Sequence, residues 1–382
     1  MHICFLTNEY PKKGFPHGGI GSFVKTLALH LVEKGIEVTV LGINYTAADE
    51  VLIEDKVTIY RIKKAETKGV NWYLNSKKIN ARIDEIHKQS PIDVIESSEL
   101  GLAFIKKKKD IKYIIRLHGG HHFFAEAEKR KINRWKAFQE KKSFKKADAF
   151  IAISNFVKTH TNQYLSYNNK EVALINNLID VELFKPIETQ IIKNQIVFVG
   201  TVCEKKGIRQ LIQAFPLVKE KFPNATLEIY GRDWFFSDGT SYIKMLKQEE
   251  LPKLGDIAKA IQFNGVVDYD EIPKKYAQAE VCAFPSHMET QGLVAPEAMA
   301  MQKMVVFTQE GPGSEIITHQ ETGLLCNPYS PVDIADKIIW VFSNPEKSEA
   351  IAAKARVEVF KKLKPESIVK QNIQFYEKII CS

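Results

Sequence analysis

Short apolar segments alternate with amphipathic ones along the whole 382-residue chain, in two successive series of similar length. Apolar strands buried on both faces belong to parallel sheets, and parallel neighbours need crossover connections that are usually helices. The first series predicts strands at 3–6, 38–41, 94–95, 113–117, 149–153 and 172–175, and the second at 196–199, 227–230, 261–263, 281–284 and 304–307. The first helix is explicit: Val24, Leu27, Ala28 and Leu31 recur at i, i+3, i+4 and i+7, and Gly35 supplies its stop. Two such series imply an α/β chain of two Rossmann-like, doubly wound parallel-sheet domains facing each other across a cleft. Ligands of these sheets bind at the carboxyl ends of the strands.

A chain of this length exceeds one ordinary core, which agrees with two domains. Asp180 to Pro186, with the polar stretch to Asn194, reads as the linker, so the expected domains are 1–186 and 187–364. With 45% hydrophobic and 26% charged residues the composition is that of a globular protein. No apolar run approaches the roughly 20 residues that span a bilayer, and a strand opens the chain, so the expected location is cytoplasmic. Five scattered cysteines offer neither a disulfide framework nor zinc-ligand spacing.

The net charge of +8 concentrates in 129–146, KRKINRWKAFQEKKSFKK, where Ile132, Trp135, Phe138 and Phe144 lie among the basic residues. Two readings stay open. The segment rests on an anionic membrane surface, each cation contributing about 1 kcal/mol, and holds the protein at the inner face of a membrane. Alternatively it is a solvated helix whose apolar residues face the core. No nucleic-acid module accompanies the charge, and no nucleic-acid partner is expected.

The residues with most chemical content lie around 286–300, where Glu289 and Glu297 stand eight positions apart across Gly292. An apolar strand precedes them and a helix is expected from Leu293, with Pro296 tolerated in its first turn. Helix-start amides lack intrahelical partners and favour an anion, so the turn at Gly292 and Leu293 suits phosphate. A glycine-rich run, His17-Gly-Gly-Ile-Gly21, enters the first helix without the G-x-G-x-x-G spacing of a dinucleotide site. His118-Gly-Gly120 ends the strand at 117; a metal cluster with His121 and His122 lacks a Cys or acidic partner at ligand spacing. Asp268-Tyr-Asp270, with Glu271 three residues after Asp268, reads as a helix-capping box rather than a metal motif. No metal and no cofactor are expected. The aromatic loop 234–239 lines a cleft, acts as a lid, or packs on the surface.

Together these residues resemble the retaining glycosyltransferases of family four, the group-one glycosyl transferases of GT-B fold. The resemblance rests on E-x7-E at Glu289 and Glu297, on Gly200 to Gly207 as the G-R-x-x-x-x-K-G loop, and on 177–180 as N-G-V-D. It also covers Glu310 to Glu315 and Thr322 to Leu325. It implies that Glu289 and His118 contact the transferred sugar and that Glu297 holds the ribose. Lys206, with Gly292 and Leu293, would grip the donor diphosphate; Gly265 and Val266 would meet the base, and Gly18 and Gly19 would lie over the cleft. The acceptor side is expected around Glu96 and Glu99, and helix 365–382 would pack back on the first domain.

Thr201 stands where the family has arginine, and a neutral hydrogen bond contributes about 1 kcal/mol against roughly 1.5–3 for a charge-assisted one. Arg232 is the nearest substitute cation, unless it pairs with Asp233 at the surface. Leu178, Gln302 and Met304 also depart from the pattern, as packing changes. The implied activity is metal-independent, retaining transfer of a hexose from a UDP-sugar, or secondly a GDP-sugar, to a glycan, lipid-linked or small acceptor. The alternatives are a phosphorylase or nucleotide-sugar hydrolase on the same fold, or a nucleotide-sugar-binding scaffold without turnover.

Overall fold

The structure, a computed structural model, describes residues 1–12, 18–44, 46–127 and 130–382. His17 and Lys129, which open two of the segments singled out above, lie outside them. The chain divides into two compact units, Met1–Leu178 with Pro365–Ser382, and Ile179–Lys364.

In the first unit the strands are β1 (His2–Leu6), β2 (Glu37–Asn44), β3 (Glu50–Glu54), β4 (Val57–Lys63), β5 (Val94–Ser97), β6 (Lys112–Leu117), β7 (Ala149–Ala152) and β8 (Val172–Leu174). They form one sheet in the order β3-β4-β2-β1-β5-β6-β7-β8. Every pair is parallel except the edge hairpin β3–β4. The helix Gly19–Glu33 buries Val24, Leu27, Ala28 and Leu31, as their spacing requires. It ends in a Schellman motif: Ile36 N–H donates to the Leu31 carbonyl and Gly35 N–H to that of Val32, with Gly35 at φ +77°.

The helix Pro365–Cys381 belongs to this first unit. Its buried stripe is Ile368, Val369, Asn372, Phe375, Tyr376 and Ile379. Two polar residues are buried there because Asn372 and Tyr376 meet a buried ion pair of the sheet, described below.

The second unit carries β9 (Gln195–Val199), β10 (Thr226–Tyr230), β11 (Ile261–Gly265), β12 (Val281–Phe284), β13 (Met304–Thr308) and β14 (Leu324–Cys326) in an all-parallel sheet of order β11-β10-β9-β12-β13-β14. The order reverses between β9 and β12. These two strands pair only through Ile196 with Val281 and Val197 with Cys282, so their carboxyl ends part and leave the opening at which such sheets bind ligands. The boundary between units falls after Leu178, not after Pro186. Ile179 and Phe184 are fully buried in the second core, with the Phe184 ring 5.4 Å from that of Tyr269, so this stretch begins the second unit instead of linking the two.

Candidate functional site

The polar groups of the second unit gather where its strand order reverses. Beyond β9 the chain turns through a 3-10 segment, Glu204–Lys206, and then Gly207 at φ +68°. A Cβ on Gly207 would lie 1.8 Å from the carbonyl oxygen of Pro285, just past β12. Only glycine lets the two loops meet this closely. Their contact carries Lys206 to Glu289: Nζ lies 2.6 Å from Oε1, with the carboxylate buried and the ammonium partly open to solvent. His287 N–H donates to the Lys205 carbonyl, and its ring stacks on Tyr329 with centroids 4.6 Å apart.

From Glu289 the chain passes Gly292 and Leu293 into the helix Val294–Ala300, whose first turn holds Pro296 as expected. Glu297 faces inward at 4% exposure and accepts a hydrogen bond from Tyr269 Oη at 2.9 Å. Burial raises this carboxyl from 4.5 to about 7; the Tyr269 bond opposes the rise and the charge of Asp180 adds to it. Tyr269 escapes sequence reasoning because it stands between the two aspartates of Asp268-Tyr-Asp270. The capping box expected there does not form: Glu271 N–H bonds the Asp268 carbonyl, and the Asp268 side chain makes no cap. Among the described residues no cluster of three His, Cys, Asp or Glu side chains has metal-site geometry.

At the other flank, a Cβ on Gly231 would lie 1.7 Å from the Gly200 carbonyl oxygen, so glycine again brings two strand ends together. Gly231 N–H donates to the Gly265 carbonyl at 2.7 Å, joining the end of β11, beyond which Val266 is exposed. In consequence Arg232 and Thr201 are neighbours, Arg232 Nε donating to Thr201 Oγ1 at 3.3 Å. Asp233 does not take the arginine. It accepts from Ser241 Oγ and Ile243 N–H at the start of the helix Tyr242–Glu249.

In the first unit His118 follows β6, half-buried, its ring 5.6 Å from Phe23. Burial, with the charge of Arg116 added, lowers its pKa to about 3, so the imidazole is neutral at physiological pH. Glu96 is not on an open acceptor surface. It pairs with Arg116 (Nε–Oε1 2.7 Å) and accepts from Tyr376 Oη at 2.7 Å, while Arg116 Nη2 donates to Asn372. All four side chains are buried, which explains the polar residues inside the last helix.

Glu99 is buried too and accepts from Gly119 N–H at 2.7 Å. Loss of hydration raises it to about 8, the nearby Glu140 charge adding to the rise. Glu140, hidden in the basic run, accepts from the His121 and His122 amides and from His122 Nδ1. His121 Nε2 accepts from Asn133 N–H. Both histidines are therefore engaged in holding the turn after His118. Gly19 begins the helix Gly19–Glu33, and Gly18 N–H donates to the Glu9 carboxylate at 3.2 Å.

Two family models match adjoining parts of the chain: Glycosyltransferase Family 4 over residues 17–183 and Glycosyl transferases group 1 over 182–358. The chain belongs to the family-four, group-one glycosyl transferases. This glycosyltransferase is 27% identical over 417 residues to an uncharacterized glycosyltransferase of Methanocaldococcus jannaschii, the match covering 99% of the chain and 98% of that relative. Its fold matches sucrose-phosphate synthase of Thermosynechococcus elongatus with a TM-score of 0.87 at 20% identity, covering 100% and 99% of the two chains. It also matches Anabaena HepE, solved in complex with UDP and glucose, with a TM-score of 0.78 at 19% identity over 99% and 100%. The glycosyltransferase thus has the GT-B fold of two parallel-sheet α/β domains.

Proposed function

We propose that the glycosyltransferase moves a hexose from a nucleotide-diphosphate sugar, UDP-linked first and GDP-linked second, to a glycan, lipid-linked or small acceptor. The transfer retains the anomeric configuration and needs no metal ion. The observation that carries this reading is the Lys206–Glu289 pair, 2.6 Å apart where the second sheet reverses its strand order. An arriving diphosphate gives the ammonium a partner of higher charge and frees a Glu289 oxygen for a sugar hydroxyl. The backbone at Gly292 and Leu293 adds dipolar stabilisation.

Glu297 holds the ribose hydroxyls, oriented by Tyr269, and Gly265 with Val266 meets the base. Arg232, resting on Thr201, supplies the second cation that the loop lacks at position 201. On the first unit, neutral His118 addresses the transferred sugar, and Gly18 and Gly19 lie over the cleft near the donor phosphates and the acceptor. That HepE holds UDP and glucose supports a uridine donor.

Calorimetric titration of UDP, GDP and ADP in EDTA tests the reading. Selective binding of UDP, weakened about tenfold or more by Lys206→Ala, is expected, since a charge-assisted bond contributes roughly 1.5–3 kcal/mol. If no nucleotide binds, the reading fails and Thr201 marks a scaffold that has lost its donor site. Turnover that requires free phosphate would point instead to a phosphorylase.

A further inference from the structure

The basic helix Arg134–Lys146 does not turn all its aromatic side chains inward. Phe144 alone of its three aromatics enters the core, while Trp135 and Phe138 are 44% and 51% exposed. Phe138 stacks on Trp135 with centroids 5.7 Å apart, and Trp135 stacks on Phe104, also at 5.7 Å. Trp72 meets Trp135 edge-on at 5.4 Å and lies 4.7 Å from Phe104. Trp72 and Tyr73, both exposed, open the helix Asn71–Gln89. Three separate stretches of the first unit therefore converge on one surface cluster of aromatic rings. Single exposed apolar residues need no explanation, but a contiguous exposed group of this size marks an interaction surface.

The charge around the cluster has one sign. From Arg130 to Lys146 the chain carries eight basic residues and a single carboxylate, Glu140, which is fully buried and held by His121 and His122. Lys142 Nζ lies 4.5 Å from the Phe104 ring centroid and 5.8 Å from that of Phe138. Arg134, Lys136, Lys141 and Lys145 are exposed, and none forms an ion pair among the described residues.

Protein interfaces are depleted in lysine, which disfavours a protein partner. An acidic glycan would satisfy the charge but stacks on open ring faces, and Trp135 already stacks on two neighbouring rings. Half-exposed indole and phenyl edges among lysines match a membrane interface, where rings sit at headgroup level and lysine stems reach toward lipid phosphates. We propose that this aromatic and basic patch, formed by Trp72, Phe104, Trp135, Phe138 and the lysines beside them, docks the protein on an anionic lipid surface. The proposal stands apart from the donor and acceptor assignments.

The test is co-sedimentation of the full chain with vesicles of phosphatidylcholine alone or mixed with phosphatidylglycerol, at low and near-physiological salt. Binding should be about tenfold or more stronger to the anionic vesicles and should weaken with salt, each cation near the surface contributing on the order of fivefold. The pairs Trp135→Ser with Phe138→Ser, and Lys141→Glu with Lys145→Glu, should each lower vesicle affinity about tenfold or more. The lysine pair, both exposed, should leave the melting temperature unchanged, while the aromatic pair, which also removes ring stacking, should lower it by only a few degrees and keep the fold. Absence of binding, equal binding to neutral and anionic vesicles, or wild-type binding by both variants would overturn the proposal. So would saturable binding to an acidic polysaccharide that the vesicles fail to compete.

Discussion

Glu297 offers the sharpest quantitative test because its carboxyl is buried with one hydroxyl donor. Its pKa is raised from 4.5 to about 7 by burial. A carboxyl that holds its proton more tightly when folded has no effect where both states are protonated, below about pH 4.5. As pH rises to 7 the unfolded chain releases the proton and the folded chain keeps it, so stability falls. Above 7 the deficit is complete. At about 1.4 kcal/mol per pH unit the gap corresponds to about 3 kcal/mol. Glu297→Gln cannot ionise and still accepts from Tyr269 Oη, so it should recover that amount at about pH 8 and nothing near pH 4.5. For a domain of this size each kcal/mol moves the melting temperature by about 2–4 °C. Scanning calorimetry of both proteins across this range should show the variant melting several degrees higher at the alkaline end, the difference closing as pH falls. At about pH 8, where Glu297 is ionised, the same variant should bind UDP about tenfold more weakly, having lost a charged acceptor for the ribose. A stability difference that does not change with pH, or a variant less stable at alkaline pH, would refute the reasoning.

Other outcomes follow from the remaining geometry. His118, with its pKa lowered to about 3, should show no imidazole titration by NMR between about pH 5 and 8, and a midpoint near 6.5 would contradict its placement. Arg232→Ala should weaken UDP binding about tenfold while Thr201→Ala changes it little, because the guanidinium carries the charge and the threonine only orients it; the reverse pattern in titration would remove Arg232 from the donor site. Tyr376→Phe deletes a buried hydroxyl that donates to Glu96 and should cost about 1–3 kcal/mol in denaturant unfolding, with UDP affinity unchanged.

Much of the fold could be read from apolar periodicity, because strands buried on both faces carry a strong signal. The hairpin β3–β4 could not. Four of the five β3 residues are exposed, and the turn is Asp55-Lys56, with φ of 49° and 66°, where the usual signal would be Asn-Gly. β14, Leu324–Cys326, is likewise absent from the predicted strands, although β8, equally short, is among them. In the candidate site, residues at strand ends such as Lys206, Glu289 and His118 are visible because loop chemistry has a sequence signature. Their partners lie far away in sequence. Nothing local marks Tyr269 as the donor to Glu297, or Glu140, inside a lysine-rich helix, as the buried acceptor under His121 and His122. Glu96 misleads for the same reason: a glutamate at a strand end looks open until the last helix covers it with Asn372 and Tyr376.

The central claim is that the second unit holds a nucleotide-diphosphate sugar and releases the diphosphate without metal and with retention. It is tested most directly by incubating the protein in EDTA with a panel of UDP- and GDP-hexoses of α configuration, following nucleotide release and the first-formed sugar by proton NMR. The account predicts that one donor, UDP-linked, releases UDP slowly to water and gives the α-anomer first, and that Lys206→Ala abolishes the release. Release that needs a divalent cation or added phosphate, or a β-configured first product, would contradict it.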